Sequence, residues 1–297
     1  MIKIKFFNFF IKFLEKMINK KIIYYSKNKN NILGKTAVKS SLGFWYTGNI
    51  LDMSDISYGI LNNGVTEKEE TNLVIRILNK LIKNKNIIFY DIGANTGYYG
   101  IMAGYLGKNK IKCYSFEPIK EYCNCIQESI KLNHLENIVK VFNIAIGNKN
   151  GEEKLYLSGS GSSINENFIG RISLPKRKIK ISKLDNILQK QKIEKPDFIK
   201  IDVEGYEYNV LLGAKKTIKE FLPILFVEII YSLKNGFVNK DYKNIFNFIS
   251  NLGYKIFYLD KNRLIEVKDV FKSEGVKMYL CLHLTKHNLL IKDEKII

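Results

Sequence analysis

Arginine is nearly missing from a chain that is otherwise strongly basic. Of 48 Lys and Arg residues only Arg76, Arg171, Arg177 and Arg263 are Arg, against a formal net charge of +19. Proteins that read phosphates and base edges favour Arg for its planar fork of donors. Here the lysines accompany abundant Ile and Asn, as AT-rich coding produces. The charge therefore reads as a solvated surface, and nucleic acid is disfavoured as a partner. Cysteine is limited to Cys113, Cys123, Cys125 and Cys281. Cys123 and Cys125 stand one residue apart, which is not a zinc-knuckle spacing, so buried reduced thiols are expected. Long apolar runs are also lacking. Phe6-Phe-Asn-Phe-Phe-Ile11 ends at Lys12, short of the roughly 18–20 residues of a membrane span. It is too short for a secretory h-region, and no small-residue cleavage site follows it. The expected location is cytoplasmic, or peripheral at the inner face of the membrane.

What remains is ordinary for a globular protein: 297 residues, 46% hydrophobic and 26% charged. That length suits one large domain with a small appendage. Residues 1–24 have helical spacing of Phe6, Phe10, Phe13, Leu14, Met17 and Ile18 against a polar side with Lys12, Lys16 and Asn19. Such a helix either packs on the protein or lies on an anionic membrane surface. The expected division is an N-terminal extension over 1–60 and a ligand-binding domain over 61–297. Residues 37–63 suggest irregular structure or short strands. Within 61–297, apolar strand runs at 87–90, 111–116, 139–144, 198–201 and 224–229 alternate with helical patterns. Segments 152–157 and 178–181 read as edge strands or a hairpin. Segments 254–259 and 278–284 close the chain as an antiparallel pair at one edge. The alternation predicts an α/β fold with a doubly wound, mostly parallel sheet.

Chemistry concentrates at four strand ends. The first is Asp91-Ile-Gly93-Ala-Asn95-Thr-Gly97, a strand–turn–helix loop. Its glycines let the backbone approach a ligand, but an acid opens the turn where pyrophosphate-binding loops carry only glycine. A carboxylate there suits a ligand with an ammonium group, and S-adenosylmethionine has both an ammonium and a sulfonium. The second is Phe116-Glu117-Pro118, with Glu117 20 residues past Gly97; an acid at about that distance accepts from ribose hydroxyls in nucleoside-binding sheets. The third, Asn143-Ile-Ala145-Ile-Gly147, is where an adenine ring would be flanked. The fourth is Asp202-Val-Glu204-Gly205, with Glu228 at the tip of the next strand. Asp202 or Glu204 is either a base toward the acceptor or an orienter of the donor. Asp202 with Glu228 is also a conceivable Mg²⁺ pair, but no metal is expected.

Taken together these segments resemble the FkbM family of methyltransferases. The loop at 91–97, Phe116-Glu-Pro118, Asn143-x-Ala145-x-Gly147, Ser160-Gly-Ser-Ser163, Ser182-Lys-Leu-Asp185 and Lys200-Ile-Asp-Val-Glu-Gly205 occur in that family's order. The resemblance covers roughly residues 60–260. It implies a seven-stranded class I methyltransferase fold, S-adenosylmethionine as donor, and O-methylation of a sugar, glycan or secondary metabolite. By position it implies that Asp91, Gly93, Asn95, Gly97, Glu117, Pro118, Asn143 and Ala145 bind the donor. Glu67, in Gly64-Val-Thr-Glu67, would reach its amino group. Asp202, Glu204 and Glu228 would stand at the transfer centre. An RNA methyltransferase and a non-catalytic binding protein of the same fold are the alternatives. Against the first, the chain has no Pro-Pro-Tyr stretch to hold a flipped base and no Pro-Cys pair.

Overall fold

The computed structural model describes residues 22–24, 36–49, 55–168, 174–260, 263–267 and 278–292. The amphipathic segment expected over 1–24 lies outside them, except for its end. Ile22–Tyr24 form a strand, β1, not the end of a helix. It pairs antiparallel with β2 (Thr36–Lys39), which pairs with β3 (Trp45–Gly48). Residues 37–49 therefore contain strands, and helix α1 (Ile56–Asn63) follows. Helix α1 runs across the expected boundary at residue 60. Val38, Phe44 and Tyr46 are fully buried in the same core as the main sheet. Asn133 ties β3 to the body by accepting from Trp45 N and donating to Trp45 O.

The main sheet has eight strands in the order β13-β12-β14-β11-β10-β4-β5-β6. Its central members are β4 (Ile87–Ile92), β5 (Ile111–Phe116), β6 (Val139–Phe142), β10 (Phe198–Ile201) and β11 (Ile224–Glu228), all mutually parallel. The α/β class is as expected, and two details differ. The antiparallel strand β14 (Met278–His283) is not at the edge but sits between β11 and β12 (Tyr254–Asp260). An eighth strand, β13 (Arg263–Glu266), extends that edge as a hairpin with β12. It has only one buried residue, Leu264, so it carries little apolar signal for a reader of sequence.

Strands β4, β5, β10 and β11 are buried on both faces, which is why their runs are mostly apolar. One face packs Phe89, Phe198 and Phe226 against α2 (Lys68–Leu81) and α3 (Tyr98–Gly107). The other packs Tyr90, Ile199 and Leu225 against α6 (Glu207–Gly213), α7 (Lys215–Phe221) and α8 (Tyr242–Asn251). Helix α4 (Lys120–Leu132) connects β5 to β6, and α5 (Leu184–Gln191) precedes β10. The segments expected as edge strands or a hairpin pair antiparallel with each other, in a sheet of their own. There β9 (Lys176–Ser182) lies between β7 (Ala145–Ile146) and β8 (Gly151–Tyr156). Beyond β14 the described chain ends in α9 (Asn288–Ile291). All four cysteines are buried and unpaired.

The chain runs from β4 outward through β5 to β6, then returns to β10 on the other side of β4. The strand order reverses between β4 and β10. At such a reversal the connections diverge and leave a crevice at the carboxyl ends of the strands.

Candidate active site

A cavity of about 390 Å³ opens at that reversal, within the range of small-molecule sites. Its walls come from the loop after β4 (Gly93, Ala94, Asn95), the loop after β5 (Glu117, Pro118), and Ala145 and Ile146 of β7. Lys200, Asp202, Glu204 and Glu228 close it at the ends of β10 and β11, with Glu67 and Tyr99 above. The hairpin loop 158–164 adds Ser160, Ser162 and Ile164.

Glu117 is 5% exposed. Its Oε2 accepts from Asn95 N at 2.9 Å and its Oε1 from Ile119 N at 2.7 Å. Burial pushes its carboxyl up to about 8, and the two backbone donors oppose that shift. Each oxygen keeps a lone pair after these bonds, so the carboxylate is held in place and can still accept from a ligand.

Gly93 has φ +75°, and a Cβ there would stand 1.8 Å from the carbonyl oxygen of Asp202. The loops after β4 and β10 thus touch through backbone, which only glycine allows. Three other expected ligand residues, Asp91, Gly97 and Asn143, do not line the cavity. Each holds the walls from behind. Asp91 is 1% exposed and its Oδ2 accepts from Gly100 N at 3.0 Å, satisfying a free donor in the first turn of α3. A Cβ on Gly97 would lie 2.7 Å from Ile126 of α4. Asn143 donates from Nδ2 to the carbonyls of Glu117 and Pro118 at 3.0 and 2.8 Å.

The opposite end of the cavity is acidic with one cation in it. Lys200 is 3% exposed and donates to Asp202 Oδ2 at 2.7 Å. Its Nζ also stands 4.8 Å from the centre of the Tyr99 ring, within cation–π range. Tyr99 in turn donates to Glu67 Oε2 at 2.6 Å. Burial raises the Glu67 carboxyl and nearby Lys200 lowers it. Burial and the neighbouring Asp202 and Glu207 push Glu204 up to about 8. Glu228, 7% exposed, is raised well above its ordinary value by burial and the same cluster of acids. The residue that sequence reasoning missed is Lys200. Its signal was a charged residue inside the buried run Phe198-Ile-Lys-Ile201, which needs a partner to be there.

The loop after β10 is strapped from both sides. Ser163 Oγ donates to Glu204 O at 2.5 Å and Asn165 Nδ2 to Gly205 O at 3.2 Å. Buried Glu207 accepts from Gly205 N at 3.0 Å and Val203 N at 3.3 Å. Glu67, Asn95 and Glu204 all have left-handed backbone, with φ 41°, 51° and 55°, a conformation that costs a side-chain-bearing residue roughly 1–2 kcal/mol. All three line the cavity.

A mixed α/β sheet with β14 set antiparallel beside β11, and an acid-opened loop in place of a pyrophosphate fingerprint, is the class I methyltransferase architecture. The chain belongs to the FkbM methyltransferase family: the model of the methyltransferase FkbM domain matches residues 91–256. It is accordingly an S-adenosylmethionine-dependent methyltransferase. Similar solved structures include a methyltransferase FkbM from Methylobacillus flagellatus KT, at 18% identity over 66% of this chain and 43% of that one, TM-score 0.44. The chain thus spans under half the length of that relative. Another is a precorrin-6y C5,15-methyltransferase from Geobacter metallireducens, at 12% identity over 74% of this chain and 90% of that one, TM-score 0.43. A third is M. jannaschii TYW2 in complex with AdoMet, at 14% identity over 87% of each chain, TM-score 0.36. Comparison with curated proteins finds no match. Among the described residues no helix is long and apolar enough to cross a membrane.

Proposed function

We propose that the chain moves the methyl group of S-adenosylmethionine to a hydroxyl oxygen of a sugar, glycan or secondary metabolite. The observation that carries this is one cavity with a ribose-type acid, Glu117, at one end and a carboxylate group, Asp202, Glu204 and Glu228, at the other. The residues fit the donor's chemistry. Glu117 has lone pairs left for two ribose hydroxyls. Phe116, Ala145 and Ile146 offer apolar flanks for a base. Glu67 and the face of Tyr99 suit the cationic methionine end. The donor supplies an electrophilic methyl carbon, whose bond to sulfur breaks as the bond to the acceptor oxygen forms.

The chain's own residues then handle the proton. Lys200 fixes Asp202 through its hydrogen bond to Oδ2, so Asp202 orients. Glu204, whose carboxyl is pushed up to about 8, is matched to taking a proton from a hydroxyl near pH 8, and Glu228, raised by burial and the same acids, stands beside it. The test is transfer of labelled methyl to hydroxylated acceptors. Glu204→Gln or Glu228→Gln should lower kcat by about 100-fold or more for whichever is the base. Both variants keeping kcat within a factor of about three would remove the carboxylate base from the scheme.

A further inference from the structure

We infer that the ends of β10 and β11 hold a hard divalent cation, ligated by Asp202, Glu204 and Glu228. This departs from the expectation of no metal, because folding adds Glu204 to the pair visible in sequence. One oxygen of each carboxylate lies within 4.8 Å of the other two. An oxygen-only set selects cations of the Ca²⁺ and Mg²⁺ kind over those that prefer thiolate or imidazole. Oxygens bound to one Ca²⁺ at about 2.3–2.6 Å, or to one Mg²⁺ at about 2.0–2.1 Å, stand at most about 4–5 Å apart. The three oxygens are therefore near enough to one another to share a single ion.

Acidic groups often gather without an ion, so two further observations bear the weight. Glu228 is 93% buried, lines the cavity, and its Oε2 meets no hydrogen-bond donor. A buried oxygen in that position needs a proton or a cation beside it. The side-chain pairing points the same way. The ammonium of Lys200 pairs with Asp202 Oδ2. Among the described residues the Glu204 and Glu228 carboxyls have no side-chain ion pair, so a divalent ion that displaces their protons has both free to bind it. The ion's remaining positions face the cavity, where a hydroxyl or water oxygen can bind. A coordinated hydroxyl loses its proton more readily. That role rests on the methyl-transfer reading and would take the place of the carboxylate base proposed there, whereas the binding of the ion rests on neither.

The experiment is titration of the full chain with Mn²⁺ at pH 8, read by the electron paramagnetic resonance of the free ion, with Ca²⁺ and Mg²⁺ as competitors. One saturable site per chain is expected. Loss of an outer-shell partner alone weakens metal sites about 10–100-fold, so Glu204→Gln and Glu228→Gln should each weaken binding at least about tenfold. Glu136→Gln, at an exposed acid, should leave it unchanged. Circular dichroism of each variant reports folding. Equal Mn²⁺ binding by wild type and Glu228→Gln, or no saturable site, overturns the inference; the carboxyls are then held protonated instead. S-adenosylmethionine affinity is measured on the same samples. Its absence would count against the proposed function and leave the ion site standing.

Discussion

At the scale of single residues, the site is built from side chains that hold one another more than they reach outward. Asp91 and Asn143 show why a motif letter need not be a ligand. Both sit in the segments that carry the family resemblance, and Asp91 Oδ2 and Asn143 Nδ2 bond backbone behind the cavity wall, while Asp91 Oδ1 meets no donor. Glu204 makes the opposite case, since it holds a strained backbone at the cavity edge. That strain predicts a separable effect. Glu204→Gly should be more stable than Glu204→Ala by about 1 kcal/mol, because glycine adopts φ +55° freely, while both lack the carboxylate. Chemical denaturation of the two variants checks this. Equal stabilities would mean the loop relaxes when the side chain is removed.

At the scale of elements, the sequence showed most of the frame and little of its joints. The runs at 111–116 and 198–201 match β5 and β10 residue for residue, because strands buried on both faces are mostly apolar, with only Lys112, Ser115 and Lys200 interrupting them. The helical pattern over 207–221 resolves into two helices, α6 and α7, meeting at Ala214. Apolar spacing continues through that joint and hides it. What marks it is Asp185, from α5. Its Oδ1 accepts from Thr217 N at 2.8 Å and Thr217 Oγ1 at 2.7 Å, and its Oδ2 from Lys216 N at 3.1 Å. Asp185 thus caps α7 from another element, which accounts for Ser182-Lys-Leu-Asp185 among the motifs without giving it a ligand. Asp185→Ala should cost about 1–2 kcal/mol of stability and leave S-adenosylmethionine affinity unchanged. A loss of affinity with stability intact would return Asp185 to the binding site. The joint sheet β7-β9-β8 was legible as alternating strands but not as a separate layer, since alternation does not say which sheet a strand joins.

At the scale of the whole molecule, the acids gathered around one cavity make stability depend on pH in an unusual direction. Glu117 and Glu204 are pushed up to about 8 and Glu207 to about 7, mainly by burial. Such a group keeps its proton in the folded state at pH values where the unfolded chain has released it. Its contribution is complete below the ordinary value of 4.5 and is lost as pH rises toward the folded value. Each group costs about 1.4 kcal/mol per pH unit within that window. Buried His287 is pushed down to about 3, so it acts in the opposite sense but only below its ordinary 6.5. The ligand-free protein should therefore lose Tm between pH 6.5 and pH 8, and Glu207→Gln should flatten that fall. A Tm that rises over this interval would mean these carboxyls are ionised in the fold.

The donor cavity is the part of the account on which everything else depends, and Glu117 is its anchor. Isothermal titration of the full chain with S-adenosylmethionine, beside NAD, is the direct measurement. One molecule should bind per chain and NAD should not. Glu117→Gln should weaken binding by about tenfold or more, as losing an acceptor oxygen toward the ribose hydroxyls would. Binding of NAD in place of S-adenosylmethionine, or a Glu117→Gln protein that binds the donor as tightly as wild type, would contradict the account.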